Sequence, residues 1–315
     1  VFKAPNIEYF FYNGGGDSQD TTFKVSKMAK ELKLPLTCIG IPKTVDNDLP
    51  ITDCSPGFGS VAKYVATSTL EAGLDVKSMS ETSTKVFILE VMGRHAGWIA
   101  AASALASTNK TDPPHIILMP EVPFAKKKFI NKVKQTVANE GFCVVVASEG
   151  ARYKNGMFLA DSGLTDAFGH KQLGGVAPVL AQMISSIGLK NHWAVSDYLQ
   201  RSARHISSKT DLDQAYAVGK KAVEFALAGK NAVMPVIKRL SNKPYKWKIE
   251  AASLSKVANV ENTLPKGYIS KDGFRITDKG LNYLRPLIQG ESSISYKDGI
   301  PIVAELKNTL VKKIT

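Results

Sequence analysis

Seven consecutive residues, Pro42-Lys43-Thr44-Val45-Asp46-Asn47-Asp48, set a cation, a hydroxyl and two carboxylates directly after the apolar run 36–41. An apolar run that ends in proline reads as a buried strand opening into a loop. Carboxylates at such a mouth can do chemistry. One can take a proton from an alcohol and another can hold Mg²⁺, with Lys43 beside a transferred phosphate. A loop rich in Asp and Asn also serves simply to turn the chain, and these residues alone leave both readings open.

The elements that must position this loop alternate along the chain. Residues 7–12, 36–41, 85–91, 115–119, 142–147 and 194–199 read as strands. Stretches after 16 to 33, 58–73, 96–107, 126–139, 174–187 and 212–228 read as helices. Apolar strands alternating with helices predict a mainly parallel sheet covered on both faces, an α/β fold. Gly14, Asp46, Arg94, Glu149 and Arg201 each fall just after a predicted strand, where open parallel sheets bind their ligands. From about Ser241 the chain is more polar and turn-rich, as in Asn242-Lys243-Pro244 and Lys271-Asp272-Gly273, and reads as an appended layer.

The totals narrow the function classes. A length of 315 residues with 44% hydrophobic content suggests about two domains. No apolar run reaches the roughly 18 residues of a membrane span, and no membrane is expected. The three cysteines, Cys38, Cys54 and Cys143, are far apart and read as buried thiols in a reducing cytoplasm. The net charge of +13 permits nucleic acid, anionic surfaces or phosphorylated small molecules. Lys126-Lys127-Lys128 carries no interleaved aromatics and reads as a solvated face, and no nucleic-acid-binding signature occurs.

"KTVDNDLP" is similar to the catalytic loop of the phosphofructokinase family. Gly14-Gly15-Gly16-Asp17-Ser18 before it agrees with that family in order, as do "EVMGRHAGWIA" and Leu199-Gln200-Arg201 after it. The resemblance extends from about Tyr9 to the C-terminus. It implies two Rossmann-like domains facing across a cleft. Residues 1–57 with about 200–232 would form the phosphoryl-donor part, and about 58–199 with 233–315 the fructose 6-phosphate part. It also implies phosphoryl transfer to the 1-hydroxyl of fructose 6-phosphate with Mg²⁺, in a homo-oligomer whose subunits share active sites.

By that resemblance Asp46 is the base, Asp48 with Asp17 lies at the metal, and Thr44 and Lys43 meet the transferring group. Asn47 shapes the loop. Gly14, Gly15 and Gly16 let backbone amides approach phosphate closely. Asp17, together with Lys43, resembles the pair that marks pyrophosphate users, because an acidic side chain there fills and repels where a nucleotide's α-phosphate would lie; it can equally cap a helix. Met92, Gly93 and Arg94 match the sugar-phosphate loop. Glu149 matches a carboxylate for sugar hydroxyls, and Tyr198 and Arg201 match contacts to the 6-phosphate. Lys85 corresponds to a cation given by a neighbouring subunit. His95 reads as a polar residue at a helix start.

Four departures stand against the family pattern. Gly16 replaces an Asp or Asn. Only thirteen residues precede Gly14, so the chain reads as N-terminally incomplete, without the family's first phosphate loop. His192 stands where an arginine is usual, and Ser196-Asp197 replaces Leu-Gly. An ATP-dependent phosphofructokinase and a catalytically impaired sugar-phosphate-binding subunit are the alternatives to a pyrophosphate-dependent enzyme.

Overall fold

The computed structural model describes residues 6–165, 171–173 and 175–310, with side chains omitted for 162–174. In chain order the elements are β1 (Tyr9–Gly14), α1 (Gly16–Glu31), β2 (Thr37–Pro42), α2 (Phe58–Met79), β3 (Val86–Val91) and α3 (Trp98–Ala102). These are followed by β4 (Ile116–Leu118), α4 (Lys126–Glu140), β5 (Cys143–Ser148), β6 (Asp161–Thr165), β7 (Lys171–Leu173), α5 (Val176–Ser185) and β8 (Asn191–Val195). Then come α6 (Leu199–Ser202), α7 (Lys209–Leu227), β9 (Val233–Asn242), β10 (Tyr245–Ser253), α8 (Asp278–Leu284), β11 (Tyr296–Lys297) and β12 (Ile300–Pro301).

Two four-stranded sheets organise the molecule. The first runs β1-β2-β9-β10, parallel except for the β9–β10 hairpin. The second runs β4-β5-β3-β8 and is parallel throughout. The two-residue period of the strands divides their side chains between two cores. In β2, Cys38 packs under α1 with Ala29, while Ile39 turns to Ala222 and Phe225 of α7. In the second sheet, Val86, Ile88, Val145 and Ala147 meet Phe129 of α4 and Leu180 of α5. Leu89, Val91 and Val146 face Phe58, Val61, Val65 and Trp98 on α2 and α3. That second core also holds Val218 of α7 and Ile237 of β9, so it welds the two halves together.

The observed elements differ from the expected ones in specific ways. The strand expected at 194–199 ends at Val195, because the chain turns there, with Asp197 at a φ of 36°. The helix expected over 96–107 shrinks to α3 and a 3-10 turn, Ser103–Ala106. The stretch after residue 232 does not divide as expected. β9 pairs with β2 and carries β10 with it, so this hairpin extends the first sheet instead of joining the second. Residue 174, the expected start of a helix, lies outside the described residues; α5 begins at Val176.

Asp211, near the start of α7, fastens α2 to it. Its buried carboxylate accepts from Gly57 N (2.8 Å), Ser60 N (3.0 Å) and Ser60 Oγ (2.6 Å), meeting donors at the start of α2 that lack helical partners. Asp211→Ala strands these donors and should lower unfolding free energy by about 2–4 kcal/mol in urea titration. A loss under about 0.5 kcal/mol would mean the two helices are held by apolar packing alone.

Candidate active site

The carboxyl ends of β1, β2, β3 and β5 open into one cleft of about 640 Å³. Gly16, Asp17, Asp46, Asp48, Met92, Arg94, His95 and Glu149 line it. The loop after β2 is built to hold two carboxylates there. The buried Thr44 accepts from the amide of Asp46 (3.1 Å), and Lys43 N donates to Gly14 O (3.1 Å), stitching this loop to the glycine bend. Asn47 is buried with a φ of 55°, a left-handed conformation that Asn tolerates. Its Oδ1 accepts from Ser55 N (2.9 Å) and its Nδ2 donates to Tyr283 Oη (2.9 Å). Asn47 therefore braces the turn that points its two acidic neighbours into the cleft.

On the opposite wall, Glu149 Oε1 accepts from Gly93 N (3.2 Å), and Ser148 Oγ donates to Gly93 O. Gly93 has a φ of 124°, and a Cβ there would lie 2.7 Å from Ala96 O. Gly150 is equally constrained, since a Cβ there would lie 2.0 Å from Arg94 O. Two glycines thus let the loop after β3 fold over the end of β5 and bring Arg94 beside Glu149. Gly150 was not singled out in the sequence, although its place directly after an acidic strand end was the available signal.

Burial and mutual repulsion set the electrostatics. Burial, followed by the nearby charges of Asp48 and Glu149, pushes the Asp46 carboxyl up to about 6, against the partial relief of His95 and Lys43. Asp48 is raised by burial and by Glu261, and Glu149 by burial, offset by the Gly93 amide and Arg94. Asp48 Oδ1 is buried without a hydrogen-bond partner. Such an oxygen, with Asp17 lining the same cleft, suits a hard divalent cation that keeps several waters and takes its other oxygens from a phosphate. A Cβ on Gly16 would meet nothing within 4 Å, so the glycine leaves open space beside Asp17.

The other expected residues are distributed as follows. Gly14 and Gly15 shape the bend behind the cleft without lining it. Lys43 is exposed and acts on Asp46 through its charge. Arg201 lines a separate recess together with Val45 and Gln200, with its guanidinium 4.1 Å from the Tyr198 ring centroid. Gln200 links that recess to the cleft by accepting from Met92 N at 3.4 Å. A further recess continues from Met92 and Glu149 to Asp197.

Lys85 and His192 are not brought to this cleft. Lys85 precedes β3 and donates to Ser80 O and Glu81 O (3.3 Å). His192 pairs with Phe87 on the exposed edge strand β8, roughly 13 Å along the strand from Val91. His95 does not start a helix, since α3 is capped by Gly97. It faces the cleft, with Nδ1 2.6 Å from Glu261 Oε1. Ala96, Asn259, Val260 and Glu261 complete the lining, and nothing in the sequence had marked the last three.

Residues 1–226 match the phosphofructokinase family. The chain belongs to that family. It is 62% identical over 314 residues to a protein of Halomonas elongata named pyrophosphate–fructose 6-phosphate 1-phosphotransferase, covering 99% of this chain and 75% of the relative. A similarly named protein of Methylococcus capsulatus is 58% identical with the same coverage. The crystal structure of the pyrophosphate-dependent phosphofructokinase of Marinobacter aquaeolei superposes with a TM-score of 0.91 at 61% identity, over 99% of this chain and 75% of that one. Among the described residues of this phosphofructokinase-family chain, no helix is long and apolar enough to cross a membrane.

Raising a carboxyl from 3.8 to about 6 means that the folded state disfavours its ionised form. The folded state gains from the bound proton below the unfolded pKa, and that stability is lost as pH rises through 6. Asp46→Asn should therefore be more stable than the parent by about 1–3 kcal/mol at pH 7 in urea unfolding. The difference should shrink to nothing below about pH 4. Equal stability at both pH values would contradict the assigned effect of burial and repulsion.

Proposed function

We propose that this chain is a pyrophosphate:fructose-6-phosphate 1-phosphotransferase. The observation that carries the reading is the single cleft where acidic residues from the first sheet, Asp17, Asp46 and Asp48, face Arg94 and Glu149 from the second. The 62% identity to a relative of that name supports it.

In this reading the sugar lies against Met92, Gly93, Arg94 and Glu149. The backbone amide of Gly93 and the Arg94 guanidinium partly offset the burial of Glu149, which accepts from sugar hydroxyls. Tyr198 and Arg201 take the 6-phosphate end. Asp46, tuned close to neutrality, accepts the proton of the 1-hydroxyl as that oxygen bonds to phosphorus and the bridging P–O bond of pyrophosphate breaks, releasing inorganic phosphate. A base poised near the working pH can also return the proton, which suits a reaction whose broken and formed bonds are of similar energy. Thr44 and Asn47 position Asp46 by fixing the turn beneath it. Asp48 and Asp17 would hold Mg²⁺, which supplies charge neutralisation to the phosphates when bound. Asp17 narrows the donor end against a nucleotide. Lys85 and His192, displaced from this chain's own cleft, suit a homo-oligomer in which each copy completes a neighbour's site.

Purified protein should convert fructose 6-phosphate with pyrophosphate and not with ATP. Asp46→Asn should lose at least about a hundredfold in kcat while fructose 6-phosphate still binds in calorimetry. Preferred use of ATP would reject the donor, and near-parental turnover by the variant would reject Asp46 as the base.

A further inference from the structure

A strap of chain, residues 257–264, spans the cleft and is anchored at both ends. Val257 is buried with Leu49, Met234 and Leu254 against the first sheet, and Leu264 is buried in the core that joins the two halves. Between these anchors the strap bonds to the loops of both walls. Asn262 N donates to Asp48 O (2.7 Å), Trp98 Nε1 donates to Asn262 O (2.8 Å), and Leu264 N donates to Glu121 Oε1 (2.9 Å). Glu121 Oε1 also accepts from Gly97 N (2.9 Å), just past the Arg94 loop.

Two side chains of the strap reach outward across the opening. Asn259, at a φ of 59°, donates from Nδ2 to Asp20 Oδ1 (3.0 Å), on the same helix as Asp17 and one turn later. Glu261 lies against His95 on the other wall. Both are exposed, so neither is held there by the core. Glu261 adds negative charge next to the already crowded Asp48. The His95 contact holds Glu261 at the opening of the cleft, where its charge faces Asp48.

We propose that Asn259 and Glu261 determine donor specificity, closing the end of the cleft beside Asp17 so that a two-phosphate donor fits and a longer polyphosphate is rejected. The inference rests on the pyrophosphate reading above. A short inorganic donor ends before the strap. A third phosphate, with or without a nucleoside, would continue past Asp17 toward Glu261, whose carboxylate repels it, under a backbone pinned at both ends. Exclusion here is electrostatic at Glu261 and steric at the Asn259–Asp20 bridge. It therefore differs from the role of Asp17 alone, because it depends on a segment far away in sequence.

The test compares kcat/KM for pyrophosphate with kcat/KM for inorganic tripolyphosphate in the parent, in Glu261→Gln and in the double variant Asn259→Gly/Glu261→Gln. Each ratio is internal to one preparation, so it does not depend on the fraction that folds. The pyrophosphate preference should fall at least about fivefold in Glu261→Gln and further in the double variant. The KM for fructose 6-phosphate should stay within about twofold. A preference unchanged in the double variant, or a sugar KM that moves as much as the donor KM, would overturn the strap's role. A parent that turns over ATP but not pyrophosphate would overturn the proposed function instead. The strap is then judged by calorimetric affinities for pyrophosphate and tripolyphosphate, which must converge in the double variant for it to stand.

Discussion

Repulsion among carboxylates confined to one cleft is the constraint on which this structure turns. Asp46, Asp48 and Glu149 are each pushed above the ordinary carboxylate range by burial, and Asp46 is raised further by the other two. Left to local preference, such a cluster would spread into solvent. It is held by neutral groups that give up their own hydrogen bonds to the loops: Thr44 and Asn47 under the acidic turn, Ser148 and Gly93 under Arg94, and Asn262 from the strap. The apolar core beneath, shared by α2, α3, α7 and β9, gives those braces a rigid base. Stability is thereby given up at the cleft and recovered in the packing that joins the two sheets.

The same crowding bears on the reaction. An Asp in water is a weak base at neutral pH, whereas one raised close to neutrality both accepts and returns a proton. The charge left uncompensated in the cleft also favours a divalent cation arriving with a phosphate ligand. The unpartnered Oδ1 of Asp48 leaves part of that charge unsatisfied.

Much of this was legible in the sequence because β4, β5 and β3 of the second sheet are buried on both faces. They are apolar apart from Glu90 and Ser148, and the first polar residues after β3 and β5, Arg94 and Glu149, mark the cleft. Asp46 and Asp48 were readable for the same reason at the end of β2. The β9–β10 hairpin and the strap were not. β10 alternates lysines and a glutamate with apolar residues on an edge of the first sheet, and the strap follows no period, being fixed by backbone bonds to Asp48 and Glu121 that leave no trace in residue type. His95 was misread because its partner Glu261 lies far away in sequence. His192 was matched by position along the chain, which does not say toward which end of a strand a side chain lies.

Whether these carboxylates feel one another is read out by following the aspartate side-chain carboxyl carbons by NMR across a pH titration, in the parent and in Glu149→Gln. One aspartate should titrate with a midpoint near 6, and that midpoint should fall when the Glu149 charge is removed. If every aspartate carboxyl titrates below about 5, or the high midpoint is unmoved by the substitution, the carboxylates do not share one cleft's electrostatics and the account fails.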